Sequence, residues 1–161
     1  MPSIPKSLCW GAFHGEEIAP LLPTGKESQV ATSGPEFDVV TVHSSRSCRV
    51  YIDEKESFLA WAGVRSTGKG SSWNHWSGRQ KTSPVDVGDE GFLFRKGASS
   101  VMLCERPGLP RSPTLSEAMK YVEMAIIVDH APKDEVARTA LPSLLRQYAQ
   151  FVKQKLKCGS V

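Results

Sequence analysis

Apolar residues fall at every second position in two stretches, Cys48, Val50, Ile52 and Val122, Met124, Ile126, Val128. In a third stretch they recur at helical spacing: Ala137, Leu141, Leu144, Leu145, Tyr148, Val152 and Leu156. A period of two marks a half-buried strand, and an i, i+3, i+4 repeat marks one face of a helix. The third pattern predicts a long helix from Asp134 to Leu156, which Pro142 must kink or divide because its ring removes an N–H and crowds the preceding turn. The first opens a hairpin, since in "SCRVYIDEKESFLAWAGV" two apolar runs flank the polar turn Asp53 to Ser57. Ahead of it, "EFDVVTVHSS" reads as a strand by its β-branched residues.

"PVDVGDEGFLFRKGASSVMLCER" is a Gly-Asp-Glu-Gly turn leading into a second hairpin folded at Lys96-Gly97. The stretch Thr114 to Asp129 carries two signals. Thr114 and Glu117 form a capping box, which argues for helix, while the alternation from Val122 argues for strand. The reading adopted is a helical turn near Ser116 and a strand from Tyr121 to Asp129. Near the start, "WGAFHGEEIAPLLPTG" holds a short helix around Glu16 to Leu22, with acids in its first turn and a Pro-Thr-Gly stop. Short turns between strands favour antiparallel pairing. The prediction is an α+β, two-layer fold: an antiparallel sheet of about five to seven strands, with the short N-terminal helix and the long C-terminal helix packed on one face.

Composition changes this picture little. With 161 residues, 40% of them hydrophobic, the chain suits one domain over 8–161, preceded by a Pro- and Ser-rich flexible tether over 1–7. No apolar run approaches the ~18 residues of a membrane helix, so no transmembrane segment is expected. The net charge of +3 is spread along the chain without basic blocks, which gives no reason to expect a nucleic-acid partner.

The four cysteines, Cys9, Cys48, Cys104 and Cys158, lie far apart with no C-x-x-C pair, which argues against a zinc site; two long-range disulfides formed in an oxidising compartment explain the pattern better than free buried thiols in a cytosolic protein. Three connectivities are open. Cys48 and Cys104 sit on two probable strands of one sheet, whereas Cys9 precedes the first helix and Cys158 ends the last. The expected pairs are therefore Cys48–Cys104 and Cys9–Cys158.

The order of elements, Cys9 just before a helix, "CRVYID" opening a hairpin, "VGDEGFLF" before the second hairpin, and a closing helix ending in Cys158 resemble the small exported lipoprotein ectodomains of actinobacteria. The likeness spans nearly the whole chain through short motifs. It implies an envelope-facing domain and carries over no catalytic residue. The chain departs from that pattern in showing no lipobox.

Candidate chemistry is sparse. "GVRSTGKG" approaches a phosphate-binding loop but has Gly70 where a magnesium-binding hydroxyl belongs, and a poor helix follows. His14, His43, His75 and His130 have no metal-ligand spacing, so no metal and no cofactor are expected. Asp86, Asp89 and Glu90 suit a hydrogen-bonded turn better than a pair of glycosidase carboxylates. One segment stands apart: "RSTGKGSSWNHWSGRQK" sets Trp73, His75 and Trp76 among Arg65, Lys69, Arg79 and Lys81. Aromatic and cationic side chains in a long polar loop suit a surface for a protein partner or a cell-envelope polymer or glycan; in the other reading both indoles fold back to cover the sheet. The expected function is a non-catalytic extracellular binding or sensing domain, acting as a monomer. A secreted inhibitor or immunity-type protein that blocks a partner enzyme is the alternative, and a secreted hydrolase the third reading.

Overall fold

The computed structural model describes residues 3–37, 39, 45–65, 81–105 and 121–158. In these the chain runs β1 (Ser7–Leu8), β2 (Phe13–His14), α1 (Gly15–Ile18), a 3-10 turn (Ala19–Leu21), β3 (Ser28–Thr32), β4 (Ser45–Ile52), β5 (Lys55–Arg65), β6 (Ser83–Pro84), β7 (Glu90–Phe94), β8 (Gly97–Leu103), β9 (Tyr121–Ile127) and α2 (Asp134–Leu156). Seven strands form one sheet in the order β3-β4-β5-β9-β8-β7-β6, every pair antiparallel, and β1 with β2 makes a separate ribbon. The fold is α+β, as the periodicities predict.

The alternating positions do what period two requires. Cys48, Val50 and Ile52 of β4, Phe58, Ala60 and Ala62 of β5, Ala98 and Met102 of β8, and Val122, Met124 and Ile126 of β9 share one buried core. Against them lies the predicted stripe of α2, buried at all seven positions. The helix runs unbroken through Pro142, which therefore does not divide it. It ends where Lys157 turns left-handed (φ 55°) and the Cys158 N–H reaches back to the Lys153 carbonyl at 3.0 Å. That is a Schellman closure, and it folds Cys158 back toward the sheet.

Local structure near the N-terminus departs from expectation. The N-terminal helix is α1 plus a 3-10 turn with Pro20 inside, in place of a continuous helix from Glu16 to Leu22. The β3 strand, "SQVAT", lacks the alternation or β-branched density that would mark it, and forms by pairing with β4. Of the strand expected in "EFDVVTVHSS", Ser45 opens β4 and Phe37 and Val39 are buried, while residues 38 and 40–44 lie outside the described residues. So does the helical turn expected near Ser116. Within the stretch read as a tether, Ile4 packs on the core, the Lys6 carbonyl accepts the Gly15 N–H at 2.8 Å, and the Ser28 hydroxyl donates to the Ser3 carbonyl.

The cysteine pairing corrects the expectation outright: the bonds are Cys9–Cys48 and Cys104–Cys158, not Cys48–Cys104 and Cys9–Cys158. Strand order is the reason. β5 and β9 stand between β4 and β8. Three inter-strand spacings of ~4.8 Å put Cys48 roughly 14 Å from Cys104, beyond any disulfide's Cα–Cα reach. The observed pairs bring Cα atoms to 5.4 Å and 4.4 Å.

The β4–β5 turn is tighter than expected, only Asp53 and Glu54, both left-handed at φ 49° and 69°. This is the primed geometry that matches strand twist in two-residue hairpins. The Asp53 carboxylate accepts the backbone N–H groups of Lys26 and Glu27 at 2.9–3.2 Å, tying the approach to β3 onto the hairpin tip. Those bonds, that of Glu27 first and that of Lys26 next, hold its carboxyl below the usual range. A depressed carboxyl contributes stability above its unfolded pKa, about 3.9, and loses it as pH falls. Asp53→Asn, which tolerates the left-handed backbone, is therefore expected to melt below wild type at neutral pH. The gap should close as pH drops below about 4 in a melting series.

An aromatic chain links the N-terminal ribbon to the helix. Phe13 lies 5.6 Å from Phe58 and 5.3 Å from Tyr148, Tyr148 stacks on Phe151 at 6.4 Å, Phe151 meets Phe37 at 5.2 Å, and Phe37 meets Trp10 at 5.3 Å, all ring centroids. Tyr148 is fully buried and its hydroxyl has no hydrogen-bond partner among the described residues. Burial pushes the phenol far above its ordinary value. Tyr148→Phe removes an uncompensated polar atom and is expected to stabilise the fold by about 1 kcal/mol. Because only the unfolded phenol ionises near pH 10, wild-type stability should also fall above that pH. Urea titrations at pH 7 and 11 should show the variant's advantage widening.

Candidate functional site

The segment singled out by its tryptophans leaves the sheet at Arg65, the last residue of β5, and re-enters the description at Lys81, two residues before β6. Trp73, Trp76, Lys69, His75 and Arg79 lie outside the described residues, as does His43. Its two described ends have different fates.

Arg65 is drawn into the sheet. Its Nη1 donates to both carboxylate oxygens of Glu123, at 3.1 and 3.2 Å, and the Glu123 side chain is fully buried. Register explains the meeting: Arg65 pairs with Tyr121 and Gly63 with Glu123, so the guanidinium reaches one rung along its own face of the sheet. A carboxylate in that position requires a charged partner, and Arg65 is committed to it.

Lys81 is exposed and lines a groove of about 640 Å³ with Thr82, Ser83, Leu93, Phe94, Arg95 and Arg138. The groove lies at the β6 edge of the sheet, where Ser83 pairs with Leu93 and α2 comes down beside β7. Pro84 closes this edge to further strand pairing. Three cations from three elements converge here: Lys81 ahead of β6, Arg95 in the β7–β8 turn, and Arg138 in α2. Arg95 Nε donates to Asp134 Oδ2 at 3.1 Å, with both side chains more than half exposed. Among the described residues neither Lys81 nor Arg138 forms an ion pair, and no described carboxylate lines the groove. Sequence reasoning found Lys81 and missed Arg95 and Arg138. They stand 14 and 57 positions further along the chain, and only the sheet edge brings them together.

The remaining candidates resolve into structure. Asp89 Oδ2 accepts the Leu103 N–H at 2.6 Å and the Asp89 N–H donates to Val101, so this acid fixes the turn into β7. Gly88 makes that turn possible: its φ is +67° and a Cβ there would stand 2.7 Å from the Val101 carbonyl oxygen. Gly63 of "GVRSTGKG" is a buried residue of β5, and residues 66–70 lie outside the described residues. His14 and His130 are exposed, and the described residues hold no cluster of three metal-ligating side chains. No described helix is long and apolar enough to cross a membrane. Compared with known protein families, with curated proteins and with solved structures, the chain matches none.

Proposed function

We propose that this chain is a non-catalytic binding or sensing domain that works outside the cytoplasm, presenting its ligand surface on one end of a cross-linked α+β scaffold. The observation that carries the reading is the pair of disulfides, with every described cysteine bonded. Structural disulfides persist where the surroundings are oxidising. One bond ties the N-terminal turn to β4 and the other ties the end of α2 to the end of β8, so both termini of the described fold are anchored. Binding residues held on such a scaffold need little ordering when a ligand arrives, which favours recognition by a small surface.

Peptide mapping under non-reducing conditions, on protein recovered from its native source, tests the compartment. Cys9–Cys48 and Cys104–Cys158 peptides from an extracytoplasmic fraction are expected. Four free thiols in a cytosolic fraction would overturn the reading.

The aromatic and cationic segment from Arg65 to Lys81 belongs to the same proposal as the surface for a protein partner or envelope polymer. Trp73→Ala and Trp76→Ala are each expected to weaken retention on cell-envelope fractions by about 1–3 kcal/mol while the melting temperature stays nearly constant. A large fall in melting temperature with retention unaltered would instead make both rings part of the core.

A further inference from the structure

We propose that the groove between the β6–β7 edge and the start of α2 is a binding subsite for an amphiphilic anion, a phosphate or carboxylate head carried on a short apolar body. This rests on the reading of the chain as a binding domain and names the class of ligand it takes. The lining divides by chemistry. Lys81, Arg95 and Arg138 supply three positive charges and Thr82 and Ser83 two hydroxyls, while Leu93 and Phe94 supply an apolar floor. Its volume of about 640 Å³ fits a small molecule or one terminal group of a larger one. Two of the three cations are arginines, whose planar forks bind oxyanions through paired N–H groups, and the ammonium of Lys81 adds a mobile charge.

Charge complementarity selects the head, because the described lining carries three cations and no carboxylate, and the acid beside it, Asp134, is held by Arg95. That pair is exposed and of little intrinsic strength, so an arriving oxyanion shares or takes over the guanidinium. Leu93, half-buried on the floor, selects against a fully hydrated ion such as inorganic phosphate and for an anion with hydrocarbon attached. A free amphiphile and the exposed end of an envelope lipid share this chemistry.

The experiment titrates the full disulfide-bonded chain with hexyl phosphate, inorganic phosphate and hexanol, read by calorimetry and amide NMR. Hexyl phosphate is expected to saturate with a dissociation constant at least tenfold below that of inorganic phosphate, shifting the amides of Ser83, Leu93, Arg95 and Arg138, and hexanol is expected not to saturate. Lys81→Gln and Arg138→Gln should each weaken hexyl phosphate binding five- to tenfold. Asp134→Asn should strengthen it two- to fivefold by freeing Arg95, a gain that a damaged fold does not produce. Sedimentation with anionic vesicles, reversed by hexyl phosphate, would identify the source as a lipid surface; binding of hexyl phosphate without sedimentation would identify a free amphiphile. Absence of saturable binding, or equal affinity in wild type and all three variants, would overturn the proposal. Free thiols in the mapping experiment would leave groove binding untouched, so the two readings fail separately.

Discussion

Replacing Cys104 and Cys158 together by alanine is expected to lower the free energy of unfolding by about 4 kcal/mol, the chain-entropy value for a loop of this span. The bridged residues are 54 apart in sequence. In the folded protein the bond fastens the closing turn of α2 to the end of β8, and Leu156 just before it is buried. Without it the last turn of the helix loses its tether and should exchange its amide protons first, while the stripe from Ala137 to Val152 still packs. Removing Cys9 and Cys48 deletes a bridge of nearly the same entropic value, since the separation of 39 enters only as a logarithm. Yet Cys9 and Trp10 both hold left-handed backbone, at φ 58° and 59°, and release of that strain returns part of the loss. The ranking expected in non-reducing urea titrations is therefore Cys104/Cys158 costlier than Cys9/Cys48. The reverse order would mean that the N-terminal turn is stabilised, not strained, by its bridge.

Phe13→Ala is expected to cost about 3–5 kcal/mol, the range for deleting a large aromatic side chain from a packed core. Phe13 is fully buried and stands between Phe58 of β5 and Tyr148 of α2. It lies on a two-residue strand with little hydrogen bonding of its own, so its ring is what docks the N-terminal ribbon onto the sheet and the helix. Leu103→Ala, at a side chain 43% exposed, should shift stability by no more than about 0.5 kcal/mol. Thermal melts of the two variants under identical conditions measure the contrast. A small effect at Phe13 would show that the ribbon is held mainly by its other contacts, the Cys9–Cys48 bridge and the Trp10–Phe37 packing among them.

Candidate-site residues were legible only in part. Lys81 could be picked out because it closes a segment of unusual composition. Arg95 could not: in sequence it is one polar residue of a hairpin turn, indistinguishable from Lys96 beside it. Arg138 sits on the solvent-facing side of an amphipathic helix, where a charged residue is what the pattern requires. Nothing local distinguishes a cation that faces open water from one that faces a groove. Arg65, singled out among the surface cations, also donates to the buried Glu123 on the neighbouring strand, a contact that no local pattern records.

What the amino-acid order determines by itself is the identity of each strongly periodic element. The β4–β5 and β7–β8 hairpins, the β9 strand and the α2 helix from Asp134 to Leu156 follow from spacing, because burial of one face needs only the residues that share it. The α+β class follows from their sequence of types. What only the tertiary structure decides is which elements become neighbours. β9, the last strand made, inserts between β5 and β8 and joins two separate meanders into one sheet. That insertion moves Cys48 and Cys104 apart, dictates both disulfides and places β6 at an edge beside α2, where the cationic groove forms. Any of several strand orders would satisfy the same alternation; the choice among them comes from packing energies between residues distant along the chain, which no local period records.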